Sequence, residues 1–562
     1  MTYGFELACR ALAHQGVRHV FGVPGTQSVH FYEGLRRSQL HTVLMASESG
    51  AAFAAGAYGR ITGRPGVLVT IPGPGFAYAV PGLAEARLDS APLVHLTWAP
   101  PARGRAFDLQ AIDQTGVVAP LVKRVISVVR TPDVEVGVAA AFQEATSGEP
   151  GPVVVQFTPE TMTDEGSGEP AEAGDACGAT VALLDEEATS LAGARLAAAR
   201  RPVILAGQGA LAASRNVQDL AERATAPVLT TPSARGIVPE DHPLALGFDV
   251  PRGDVGAVNA LLAEADLVLV LGAKLGHNGS VGFSLRLPAD RTVRVDASTE
   301  VLRENYPVSL AVRGDVAAYL KRVGGITFGG GWSQEAIAEW RGRILARRTG
   351  DSPDPALPGL VGGPAAFFAA LRAAVPRDAI LVTDSGLHQV AARRHYASFA
   401  PSGLLFPSDF QSMGFGLPAA IAAKLAAPAR AVVVLIGDGG LQMSGFELAT
   451  AVRERLPLPV FVFNDGRLGL IRLEQITSWG RTHDVDLQPL DLAAFAAAVG
   501  AGYALVGDGP GEAVTRALAA DKPTLLEVRV ADSGRMLSTW ARRAGSEWIR
   551  GWLPAWLRRL VR

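Results

Sequence analysis

Asp438 and Asp465 each close a short apolar run, and two carboxylates so placed can share one hard cation. Residues 432–436, VVVLI, are wholly apolar and bounded by glycine, which predicts a strand buried on both faces of a parallel sheet. The run ends in Gly437-Asp438-Gly439-Gly440. Residues 444–455 space their apolar side chains as one helix face, Pro457 and Pro459 stop that helix, and residues 460–463 read as a second buried strand ending in Asn464-Asp465. At the carboxyl edge of a parallel sheet ligands collect, and glycines there let backbone N–H groups approach a phosphate. The stretch therefore predicts a magnesium–diphosphate clamp. A GDG triplet alone is also a turn signal, and the aspartates could be simple caps.

These residues resemble the thiamine diphosphate motif, GDG followed further along the chain by NN or ND. The resemblance implies a metal held by Asp438, Asp465 and the backbone carbonyl of Arg467, with Gly437, Gly439, Gly440, Leu468 and Gly469 around the cofactor. The second Asn of the pattern is Asp465 here, which keeps an oxygen ligand.

The elements that must position these groups belong to a chain of 562 residues, too long for one core and suited to about three or four domains. A positive mean hydropathy with 19% charged residues describes a packed globular protein. The formal net charge of −2 gives no case for nucleic acid. Cys9 and Cys177 are the only cysteines, which excludes a disulfide framework, and the start of the chain has no signal-peptide pattern. A cytoplasmic location is expected. No apolar run is long enough to span a bilayer.

Strand and helix alternate from the start, which argues a doubly wound parallel sheet. A helix is expected over 5–17 and strands over 19–23, 42–46 and 67–70. An Ala/Gly-rich helix follows Glu48, its small residues suiting close packing against a neighbour or a second subunit. Glu48 by itself is an ordinary helix N-terminal carboxylate. However, FGVPG at 21–25, SESGAAFAAGAYGRITGRPGV at 47–67 and PGPG at 72–75 resemble, in order, the pyrimidine-binding domain of acetolactate synthase-like enzymes. That resemblance implies a catalytic Glu48 on the cofactor's aminopyrimidine ring, with Pro24, Gly25 and Gly73 beside it. Gln110, in an LQ…IDQ run also similar to benzaldehyde lyase, matches a glutamine facing the substrate, or is a surface loop residue.

Residues 161–185 read as a linker, followed by a middle α/β domain with strands over 202–206, 227–230, 267–271 and 292–295. Flavin-carrying relatives place nucleotide contacts there, but residues 247–251 and 272–276 differ from their patterns, so FAD is not expected. Residues 329–358 read as a second linker. A helix over 364–374 and a strand over 379–382 open the last domain, with Asp384-Ser385-Gly386-Leu387-His388 and Gln411-Ser412-Met413 at its edge. The resemblance implies that Gly386, Leu387 and His388 meet the diphosphate, that the Gln411 carbonyl accepts from the 4′-amino group, and that Met413 bends the cofactor.

The expected fold is thus α/β with three doubly wound parallel-sheet domains: pyrimidine-binding over 1–165, middle over 185–325 and diphosphate-binding over 360–530. Residues 531–562 form a Trp/Arg-rich tail, expected to be a lid or packing segment, with an interfacial membrane helix as the alternative. The resemblance implies a thiamine diphosphate- and magnesium-dependent decarboxylase or carboligase acting on a 2-oxo acid through an enamine. A lyase cleaving 2-hydroxy ketones or 2-hydroxyacyl-CoA is the alternative, and a non-catalytic cofactor-binding protein is disfavoured by Glu48. It further implies a homodimer or homotetramer with active sites at the subunit interface. Glu474 stands where biosynthetic acetolactate synthases carry Trp, and Arg472 either meets a substrate carboxylate or is a solvated helix residue.

Overall fold

The structure is a computed structural model that describes residues 2–99, 108–166, 184–249, 254–349, 357, 360–507 and 509–531. Three separate sheets of parallel strands stand in chain order. In the first, the strands run from one edge to the other as His41–Leu44, His19–Gly22, Gly66–Val69, Leu93–Trp98, Pro152–Phe157 and Arg124–Val128. The last sheet repeats that order with Leu404–Leu405, Ile380–Thr383, Val432–Gly437, Pro459–Asn464, Thr524–Arg529 and Gly502–Leu505. The first strand of each domain is flanked by its second and third, so the chain leaves it in opposite directions. A crevice opens at the carboxyl ends of the first and third strands, where open α/β sheets take ligands. The middle sheet has five strands, one of them, Leu310–Arg313, not foreseen from the sequence.

Helix Glu48–Thr62 spends its small-residue face inside the chain. Ala51, Ala52, Ala54 and Ala55 share one core with Ala419, Ala420, Ile421 and Ala422 of helix Gly416–Ala426, so the first and last domains pack directly on each other. Helix Pro74–Leu88 of the same domain also packs on helix Glu48–Thr62, so closely that a Cβ at Gly82 would lie 2.3 Å from the Ala52 Cβ. Overpacking such a contact costs about 1–3 kcal/mol. Small side chains here answer an intramolecular demand, which leaves them no evidence for a subunit interface.

Two expected linkers prove partly structured. Residues 329–358 contain helix Gln334–Thr349, because Ile337, Trp340 and Ile344 recur at helical spacing and, with Trp332 just before the helix, enter the middle-domain core. Within 161–185, the described part holds helix Pro159–Thr163 and strand Glu165–Gly166, which pairs antiparallel with Thr2–Tyr3. The helix expected over 444–455 is Glu447–Arg453, and a further helix not foreseen, Asp438–Ser444, starts directly at the strand end and is separated from Glu447–Arg453 by a break at Gly445. A Cβ at Gly445 would lie 2.6 Å from the Leu441 carbonyl oxygen. Among the described residues no helix is long and apolar enough to cross a membrane. The predicted tail lies outside the described residues except for residue 531.

Candidate active site

At the crevice of the last sheet, a cavity of about 250 Å³ gathers the residues that the sequence assigned to diphosphate and metal. Gly386, Leu387, His388, Gln411, Met413, Gly437, Asp438, Gly439, Gly440, Asp465, Arg467, Leu468 and Gly469 all line it. Ser385 and the apolar Phe463, Leu470, Ile471, Leu357 and Val530 complete the wall; apolar side chains carry no chemical signature in a sequence.

Asp438 is the first residue of its helix and is buried, with Oδ1 accepting from Gly439 N at 2.9 Å and Oδ2 from Gly466 N at 2.8 Å. Burial first, and then the charge of Asp465, push its carboxyl up to about 6. Burial likewise raises Asp465, whose Oδ1 accepts from Arg467 N at 3.2 Å. Two half- to fully buried carboxyls at one strand edge, both raised by burial and one of them also by its neighbour's charge, suit a shared cation. Among the described residues no group of three His, Cys, Asp or Glu could hold a metal, so a cation here needs ligands beyond side chains. The Arg467 guanidinium pairs with Asp486 at 2.8 Å, and its charge partly offsets the effect of burial on Asp465.

The His388 ring is buried and stacks on Phe463, centroids 5.8 Å apart and planes 9° apart. Burial pushes it down to about 4, so the imidazole is neutral, and its Nε2 has no partner among the described residues. A buried polar atom left open in a cavity wall points to an absent ligand. Gly386, at φ +146°, permits the backbone path that brings His388 into the wall. Opposite, Gln411 holds a left-handed φ of +62°, its amide donating to the carbonyls of Pro407 at 2.8 Å and Ser408 at 2.6 Å. Asp384 grips the same loop by accepting from Gly414 N at 2.9 Å and Phe415 N at 3.2 Å.

The remaining predicted residues form a second cluster at the matching crevice of the first sheet. Glu48 begins its helix under the Ser47 cap, its Oε1 3.1 Å from where a Cβ on Gly75 would stand. Gln110, at φ +61°, accepts from the Gln27 amide and covers Gly73, where a Cβ would lie 2.6 Å from the Gln110 carbonyl oxygen. Pro24 and Gly25 precede Gln27 in the turn after strand His19–Gly22. Gln27 had no role in the sequence reading, although a polar side chain at a strand's carboxyl end was a usable signal. None of Pro24, Gly25, Glu48, Gly73 or Gln110 lines the cavity around Asp438.

Three families match the chain: the thiamine pyrophosphate enzyme N-terminal TPP binding domain over 2–117, the central domain over 190–323, and the C-terminal TPP binding domain over 384–528. Acetolactate synthase isozyme 1 large subunit of Escherichia coli (strain K12) is 33% identical over 479 residues, 84% of this chain and 83% of the relative. This chain belongs to the thiamine diphosphate-dependent enzymes. The enzyme is equally similar to "Probable 2-ketoarginine decarboxylase AruI" of Pseudomonas aeruginosa, at 33% over 488 residues, covering 84% of this chain and 83% of the relative. Acetolactate synthase isozyme 2 large subunit of E. coli is 30% identical over 479 residues, covering 84% of each chain. As a member of this superfamily it is a thiamine diphosphate-dependent catalyst of carbon–carbon bond chemistry.

One interdomain contact escaped the sequence altogether. Glu447, fully buried at the start of helix Glu447–Arg453, accepts from Ala46 N at 3.1 Å and Ser47 N at 3.2 Å, directly before Glu48. Thr450 donates to the same carboxylate at 2.9 Å. Helix N-terminal glutamates are common complements to the dipole, so nothing in the local sequence marks this one.

Proposed function

We propose that the enzyme binds thiamine diphosphate with Mg²⁺ in the Asp438 cavity and decarboxylates a 2-oxo acid or ligates it to a second carbonyl, following the enamine route that the sequence resemblance implies. The carrying observation is the meeting of Asp438, Asp465 and the open His388 Nε2 in one cavity. A diphosphate and two carboxylates repel unless a divalent cation joins them, and the backbone carbonyl of Arg467 supplies a further oxygen ligand. Bound thiamine diphosphate supplies the electron sink for loss of the carboxylate. Met413 sets the cofactor's shape, the Gln411 carbonyl accepts from its amino group, and Glu48 exchanges a proton at its pyrimidine nitrogen. Glu48 and the Asp438 cavity open from different domains, which supports an active site completed by a second copy, in a dimer or tetramer.

Glu474 favours a particular substrate class. It follows cavity-lining Leu470 by four residues on helix Gly469–Trp479, so both side chains share one helix face. Half-buried, it is raised by burial, and no described residue bonds to it. A carboxylate in that position suits a 2-oxo acid whose far end carries a cation, a class to which the substrate named for the Pseudomonas relative belongs. The test is a panel: carbon dioxide release from pyruvate and from a guanidinium-ended 2-oxo acid, against aldehyde release from 2-hydroxy ketones and acyl-CoA thioesters. Cofactor- and Mg²⁺-dependent carbon dioxide release, higher for the cationic acid and lost in preference on Glu474→Gln, is expected. Aldehyde release without carbon dioxide would instead establish the lyase.

A further inference from the structure

The loop bearing Gln411 and Met413 is gripped by the first domain as well as the last. Helix Pro74–Leu88 sends Glu85 to it, buried, with Oε2 accepting from Ser412 N at 3.1 Å. Its Oε1 has no partner among the described residues. One turn later Asp89 accepts from Ser408 N at 3.3 Å and from the Ser408 hydroxyl. Arg60 is committed to Asp89 at 2.5 Å and to the Phe406 carbonyl at 2.7 Å. Two buried acids thus face the loop, and among the described residues the cation bonded there, Arg60, serves Asp89. We propose that Glu85 is a positioning residue: its carboxyl, holding Ser412 N–H, fixes the loop that presents the Gln411 carbonyl and Met413 to the cavity. The inference rests on the thiamine diphosphate reading of that cavity.

Charge around the carboxyl agrees. Burial first, and then Asp89, push Glu85 up to about 8, against the opposing pull of the Ser412 hydroxyl and N–H and, last, of Arg60. Asp409 of the gripped loop is itself raised by burial and by Asp89, and Lys274 of the middle domain faces Asp409. Glu48 lies at the opposite end of the helix, beside Gly75. The folded chain keeps a proton that the unfolded chain releases in the ordinary carboxylate range. This group therefore lowers stability progressively as pH rises from that range to about 8, with no further change above. Ionisation near the top of that interval leaves an unpaired anion against a loop that is already strained at Gln411.

The test compares full-length wild type, Glu85→Gln and Glu85→Ala. Gln keeps an oxygen for Ser412 N–H and cannot ionise. In the apo-protein, the melting temperature of Glu85→Gln minus that of wild type is expected to grow from pH 5 to pH 8 and then level off. In titrations with thiamine diphosphate and Mg²⁺, wild-type affinity should fall about tenfold between pH 7 and pH 9, while Glu85→Gln stays within about twofold throughout. Glu85→Ala should bind weakly at every pH. Parallel pH profiles for wild type and Glu85→Gln, in melting and in binding, would overturn the proposal, and that comparison decides even if Glu85→Ala fails to fold. A wild type that never binds thiamine diphosphate sinks the reading of the cavity, and the apo melting curves still decide Glu85 separately.

Discussion

Replacing Glu447 by Ala should loosen the segment that carries Glu48 without disturbing the sheet that carries Asp438. Two backbone N–H groups, of Ala46 and Ser47, lose a buried acceptor, each worth about 1–3 kcal/mol when left unsatisfied. Thr450 retains the Leu44 carbonyl at 3.3 Å, so its hydroxyl adds little. Against this stands relief from burying a carboxyl whose proton affinity burial has raised. The net local loss is about 2–4 kcal/mol, which corresponds to about 30- to 700-fold faster amide exchange at 1.4 kcal/mol per tenfold. Hydrogen–deuterium exchange of a peptide covering 45–50 reads this directly, with the strand Val432–Gly437 as an internal control. Glu447→Gln keeps one acceptor oxygen and should fall below about tenfold. Gly50→Ala should mimic the alanine variant, since its Cβ would sit 2.1 Å from Glu447 Oε1. Unchanged protection at 45–50 in Glu447→Ala would refute the reasoning.

Asp438→Ala should abolish joint binding of Mg²⁺ and thiamine diphosphate, measured by calorimetry, while leaving circular dichroism unchanged; undiminished cofactor affinity in EDTA would contradict the metal assignment. Glu48→Gln should lower turnover by orders of magnitude with cofactor affinity nearly intact, because the carboxyl acts on the pyrimidine and the anchor is elsewhere. Near wild-type proton exchange at the cofactor's reactive carbon in that variant would rule out the role. Light scattering should find at least a dimer in the active species, and an active monomer would remove the need for a second copy at Glu48.

Much of this architecture was legible in the chain because its signals are local. Apolar runs ending in Gly-Asp-Gly or Asn-Asp name a buried strand and the group at its carboxyl end in one stretch, and the parallel sheet then forces those groups to a common edge. That those residues would meet at one cavity wall was therefore readable from the chain. The linker over 329–358 was misjudged because Gly and Arg stand out in its composition, whereas Ile337, Trp340 and Ile344 decide that it packs as a helix. The alanines after Glu48 showed that something approaches closely, and only the folded chain shows that it is helix Gly416–Ala426. Glu85 and Glu447 lie at the far limit of legibility. Each acts on a backbone N–H more than 300 positions away, 327 for Ser412 and 400 or 401 for Ser47 and Ala46. A backbone N–H is present in every residue but proline, so its partner leaves no trace in residue type; tertiary packing alone selects which one is met.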